Sequence, residues 1–101
     1  MSRRLQLRAD GVEWRAVDGE VVALDVNESE YLAVNASGRI LWEALGRGTT
    51  RARLVQSLID AYALSPDAAE RDTDAFLAEL HRRGLLDTRA WRQSKDSEGG
   101  P

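Results

Sequence analysis

The chain has 101 residues, 43% of them hydrophobic and 31% charged, with a formal net charge of −3. That length holds one core, and no run approaches the roughly 18 apolar residues of a membrane span. Zero cysteines exclude disulfides, thiolate metal sites and cysteine nucleophiles.

Residues 1–10 read as a flexible N-terminus, residues 11–88 as the folded domain, and residues 89–101, polar apart from Ala90 and Trp91, as a flexible tail. Met1-Ser2-Arg3-Arg4 is basic but lacks the apolar stretch of a secretory signal, so a cytoplasmic location is expected. Between residues 12 and 34 the hydrophobic period is two. Val12, Trp14 and Ala16 alternate with Glu13 and Arg15, and Val22, Leu24 and Val26 alternate with Val21, Ala23 and Asp25. Asp18-Gly19 between them signals a hairpin. A two-residue loop would place Trp14 opposite Ala23 and split the richest apolar sets between faces. A three-residue loop with a bulge pairs Trp14 with Val22 and Val12 with Leu24, and is the expected turn. Asn27-Glu28-Ser29 then leads to a third strand, Glu30-Tyr31-Leu32-Ala33-Val34, with Leu32 and Val34 on the core face. That strand is an edge of the meander.

From residue 35 the period becomes helical. Asn35 is an N-cap, and Ile40, Leu41, Ala44 and Leu45 form a stripe that stops at Gly46. After the turn Gly46-Arg47-Gly48, Thr49 or Thr50 caps a second helix with Leu54, Val55, Leu58, Ile59 and Tyr62 on one face. Ser65-Pro66-Asp67 opens a third, with Phe76, Leu77 and Leu80 as its apolar stripe. Gly84 followed by Leu85 reads as a Schellman stop. The fold class is α+β: a three-stranded antiparallel sheet followed by three helices, winged helix-turn-helix-like.

Little in this inventory suits catalysis. His81, the single histidine, has Leu77 and Leu85 at helical spacing rather than a carboxylate or hydroxyl. The acids Asp67, Glu70, Asp72 and Asp74 crowd the start of the third helix, where they complement the helix dipole. No calcium-loop spacing occurs, and Gly46-Arg47-Gly48-Thr49-Thr50 lacks a phosphate-binding lysine. No enzyme activity, metal or cofactor is expected. Charge is balanced along the chain, with 6 basic and 8 acidic residues in 1–50 and 8 and 9 in 51–101. The local basic excess at Arg47, Arg51 and Arg53 is the basis for a rival reading as a winged-helix DNA-binding regulator. The acidic start of the third helix argues against it, and nucleic acid is not the expected partner. An edge strand beside a helix suits the addition of a guest peptide strand. It would equally serve a structural dimerisation module pairing through that strand. Trp14 and Trp42 belong to the core or its rim; Trp91 either folds back onto the domain or stays exposed.

The stretch Val12–Leu86 resembles the PqqD-like family, the recognition elements for precursors of ribosomally made peptides. The likeness lies in Gly19-Glu20-Val21-Val22-Ala23-Leu24-Asp25 and in the run from Tyr31-Leu32-Ala33-Val34-Asn35 through Ser37-Gly38-Arg39-Ile40-Leu41-Trp42 to Leu45. It continues with Gly48-Thr49, Leu54-Val55 with Leu58 and Tyr62, Phe76-Leu77-Ala78-Glu79-Leu80, and Gly84-Leu85-Leu86. The resemblance implies a strand-then-helix fold like the one above, and an activity of binding a precursor's leader segment. The leader would add as a strand to the third strand, in the cleft against the third helix. Carried onto this chain, the peptide-binding site is Glu30, Tyr31, Leu32, Ala33 and Val34, facing Asp72, Ala75, Phe76, Glu79 and Arg83 of the third helix. Apolar pockets are expected around Leu32, Val34 and Phe76. Asn27-Glu28-Ser29-Glu30 and Gly84-Leu85-Leu86 depart from the pyrroloquinoline quinone subfamily, which leaves a PqqD-type chaperone in that pathway as an alternative. The chain is more similar to the stand-alone recognition half of a split lasso-peptide B protein. That similarity implies a separate cysteine-protease-like leader peptidase as partner and a lasso cyclase downstream; no membrane partner is expected, since the chain has no apolar run of spanning length.

Overall fold

The computed structural model describes residues 4–87. In chain order these form β1 (Arg4–Leu5), β2 (Val12–Val17), β3 (Glu20–Asp25), β4 (Glu30–Val34), α1 (Ala36–Arg47), β5 (Thr49–Thr50), α2 (Arg51–Tyr62) and α3 (Pro66–Arg82). Strands β2, β3 and β4 make an antiparallel meander in that spatial order, and β1 pairs with β5. No helix among the described residues is long and apolar enough to cross a membrane. The tail expected over 89–101, and Trp91 with it, lie outside the described residues.

The helix signals read from the sequence hold. Asn35 Oδ1 accepts from the Gly38 amide, Thr50 Oγ1 from Arg53 and Ser65 Oγ from Ala68, so each first turn has one orphan donor satisfied by its cap. Helix α3 ends in a Schellman motif, the Leu85 amide on the Leu80 carbonyl (2.9 Å) and the Gly84 amide on that of His81 (3.0 Å). Helix α1 runs one residue past the predicted stop at Gly46, because its end is set by Gly48, at φ +89°.

The β2–β3 turn differs from expectation. Val17 pairs with Glu20, Trp14 with Ala23 and Val12 with Asp25, so the loop is the two residues Asp18-Gly19 without a bulge. Both loop residues have positive φ (52° and 83°), the type I′ geometry whose twist matches the flanking strands. The core face of β3 is therefore Val21, Ala23 and Asp25, and the bulkier Val22 and Val26 face outward, exposed. Small side chains suffice on the inner face because α1 lies against it; Trp42 and Leu45 of that helix are wholly buried. On β4 the expected parity holds, with Val34 buried, Leu32 half-buried, and Tyr31 and Ala33 exposed.

The N-terminal segment also differs from the predicted flexible end. Leu5 and Leu7 are buried in the core. The Leu7 amide bonds the Leu45 carbonyl (3.0 Å), the Arg8 amide that of Leu85 (2.7 Å), and the Asp87 amide that of Gln6 (2.8 Å). A core this small gains from two added leucines, and the ends of α1 and α3 satisfy the arm's backbone.

Candidate functional site

Which backbone groups of the sheet are free follows from one bond. The Val26 amide donates to the Gly11 carbonyl (2.7 Å), so Val26 points toward β2. In an antiparallel strand the N–H and C=O of one residue point to the same side and alternate along the chain. Leu24, Val22 and Glu20 therefore bond β2, while Asp25, Ala23 and Val21 bond β4 through their partners Glu30, Leu32 and Val34. The amides and carbonyls of Tyr31 and Ala33 are left pointing off the sheet. Among the described residues β4 pairs with β3 alone.

Helix α3 flanks that edge. Its core stripe is Ala69, Thr73, Leu77 and Leu80, all buried. The predicted site stripe runs beside it: Phe76, Glu79 and Arg83 are partly buried and Asp72 and Ala75 exposed. Two recesses result. Near the start of β4, Glu30, Tyr31 and Leu32 face Arg83 and Leu85 across a narrow crevice. Beyond its end, Asp72, Ala75 and Phe76 line a wide, open groove with Gly38, Leu41, Leu58, Tyr62 and Leu64. The structure thus gathers seven of the ten predicted residues into the two recesses. Ala33 meets neither, since its side chain is on the outer face; Val34 is buried in the core.

Glu79 is engaged on its own helix. Its carboxylate accepts from Arg82 and from Arg83 Nε (2.6 Å), and Arg82, then Arg83, hold it below its ordinary range. Asp72 makes no ion pair among the described residues and stands open at the groove's rim. Of the three arginines on which a DNA-binding reading rested, Arg51 is bound to α3. It donates to both carboxylate oxygens of Asp74 (2.7 and 2.8 Å) and lies 3.7 Å from Glu70.

Sequence reasoning missed the residues that set the cleft. Gly38 is one: a Cβ there would fall 2.4 Å from Val34 Cγ1 and 3.2 Å from Phe76 Cε1, so the absent side chain lets α1, β4 and α3 converge. Arg8 and Asp25 are the others. Arg8 donates to Asp25 Oδ1 (3.0 Å), to the Gly84 carbonyl after α3 (2.8 Å) and to the Asp10 carbonyl (2.7 Å), tying the end of α3 to β3. Asp25, only 6% exposed, also accepts from the Asn27 and Glu28 amides. Burial pushes its carboxyl up, but the Glu28 amide, Arg8 and the Asn27 amide together hold it below the usual value. An acid in phase with Val21 and Ala23 was the available signal, since a buried carboxylate requires a cation.

The family model described as coenzyme PQQ synthesis protein D (PqqD) matches residues 20–86. Among solved structures, TbiB1 in complex with the TbiA(beta) leader peptide is similar, with a TM-score of 0.75 and 28% identity over 81% of this chain and 94% of that one. A lasso peptide synthetase B1 complexed with the leader peptide gives a TM-score of 0.73 and 26% identity over 82% and 96%. No match is found among curated protein sequences.

Proposed function

The chain belongs to the PqqD family, and from that premise we propose that it is a non-catalytic adaptor that captures the leader segment of a lasso-peptide precursor by strand addition to β4. The observation that carries this reading is the free edge: Tyr31 and Ala33 offer two N–H and two C=O groups at ladder spacing, beside a helix that walls the cleft. Backbone pairing supplies affinity without sequence preference, and the flanking recesses select side chains. The groove lined by Phe76, Ala75 and Leu41 takes an apolar leader residue, and Asp72 at its rim meets a basic one; Glu79, neutralised by two arginines, contributes little. The two B1 likenesses favour lasso-peptide maturation over the quinone pathway. Holding the leader would raise the precursor's concentration at a separate cysteine-protease-like peptidase in the cytoplasm, upstream of a cyclase.

The test uses fluorescein-labelled leader peptides made from short reading frames beside this chain's gene. Saturable binding by polarisation is expected, with the Tyr31 and Ala33 amide signals among those shifted most in the protein's NMR spectrum. Absence of binding, or shifts confined to other surfaces, refutes the reading.

A further inference from the structure

The opposite edge of the sheet is open as well. Strand β2 pairs with β3 alone among the described residues. Glu13, Arg15 and Val17 are opposite Leu24, Val22 and Glu20, which bond toward β2, so the backbone groups of Val12, Trp14 and Ala16 point off the sheet. Trp14, on the core face at this edge, is 40% exposed and packs edge-on against buried Trp42 with ring centroids 6.0 Å apart. Among the described residues, neither of the two recesses beside β4 includes a residue of β2.

We propose that β2 pairs antiparallel with β2 of a second copy of this chain, about a two-fold axis at Trp14. The strand reads Val12-Glu13-Trp14-Arg15-Ala16, which is self-complementary about its centre. In that register Trp14 exchanges both backbone bonds with the partner's Trp14, and Val12 does so with the partner's Ala16. Glu13 then lies directly opposite the partner's Arg15 on the outer face, in the close, non-hydrogen-bonded position where opposite charges attract. The charges select this register. Centring the axis on Glu13 places two glutamates face to face, and centring it on Arg15 places two arginines. The two Trp14 side chains meet on the core face, covering the ring surface that the single chain leaves exposed. The product is a six-stranded sheet with β4 free at both ends. Five residues a side bury less than a standard interface, so the dimer is weak and concentration-dependent.

Sedimentation velocity on the full chain from about 5 µM to about 1 mM checks this, a range suited to weak association. The mass is expected to rise toward twice the monomer's. Glu13→Arg and Arg15→Glu, each setting like charges opposite one another, are expected to shift the midpoint upward at least tenfold. The double exchange of the two restores it. Ala16→Pro, whose lost N–H points away from β3, gives a monomer with an unchanged circular dichroism spectrum. A wild-type monomer throughout, single variants that still dimerise, or a double exchange that stays monomeric overturns the proposal. So do shifts of the Val12, Trp14 and Ala16 amides on adding leader peptide, which would give this edge to the guest instead.

Discussion

β4 and β2 border the same three-stranded sheet and present the same alternation of free amides and carbonyls, yet their surroundings have little in common. Beside β4 stand Phe76, Arg83 and an open groove that can hold a side chain; on β2 itself there is an exposed indole and a balanced pair of charges. A walled edge can discriminate between guests, whereas one with a symmetric charge pattern suits a second copy of itself. The lesson is that a free ladder confers affinity, and the elements around it decide for what.

Proline placed at alternate positions of β4 separates residues that bond inward from those that bond outward. Leu32 bonds inward, so Leu32→Pro removes a ladder bond and a half-buried side chain and is expected to cost on the order of 3 kcal/mol of stability. Ala33 bonds outward, so Ala33→Pro leaves the melting temperature within a few degrees and lowers leader affinity at least about tenfold, with a ring standing where the guest's carbonyl would sit. Thermal melts and polarisation on both variants separate the two effects. A larger loss of stability in Ala33→Pro than in Leu32→Pro would mean that the bonding parity is reversed.

Glycines in α1 test how tightly each side is packed. Gly38→Ala forces a methyl against Val34 and Phe76 at the β4 side, an overpacking cost of about 1–3 kcal/mol with a displaced cleft wall. At Gly46, nearer β2, the added carbon would find Trp14 at 3.7 Å and Leu7 at 3.9 Å, which is ordinary contact. Gly46→Ala is therefore expected to gain about 0.5–1 kcal/mol from helix propensity. Urea denaturation of the pair should move the midpoints in opposite directions.

Much of this arrangement was legible locally. Caps at Asn35, Thr50 and Ser65 and the stop at Gly84 are set by residues within one turn, so each could be read from its neighbours. The face parity of β4 followed from its own alternation. The register of β2 on β3 did not, because bulk misled: Val22, Leu24 and Val26 look more like a core than Val21, Ala23 and Asp25. What buries the smaller set is α1, and what makes Asp25 tolerable there is Arg8, an arm residue 17 positions away. The arm was missed for the same reason. Leu5 and Leu7 alternate, but their partners at Leu45, Thr49 and Leu86 lie far along the chain. Of the site, the strand and the helix stripe were readable; the devices that fix their relative position, Gly38 against Phe76 and Arg8 between Asp25 and Gly84, are long-range contacts.

The Arg8–Asp25 contact gives the cleft side a pH dependence of known sign. A carboxyl whose folded pKa lies below its ordinary 3.8 stabilises the fold above that value and loses the contribution as pH falls through the folded pKa. The melting-temperature gap between wild type and Asp25→Asn should be constant from pH 7 to 5 and narrow below about pH 4. Arg8→Met should raise the leader's dissociation rate as well, since the end of α3 is then no longer tied to β3.

Arg51 supplies the contrast at the low end of effect. Like Arg8 it bridges elements, joining α2 to Asp74 and Glu70 of α3, and the Asp74 bond raises its pKa while lowering that of the carboxyl. Unlike Arg8 it is solvated, so water and salt screen the pair, and Arg51→Met is expected to cost under about 1 kcal/mol, less again in high salt. The bridge lies on the far side of α3 from β4: Asp74 and Glu70 line neither recess. Leader affinity should therefore be unchanged in Arg51→Met while it falls in Arg8→Met. Equal losses in both variants would mean that the cleft responds to stability in general and that Arg8 has no particular hold on its width.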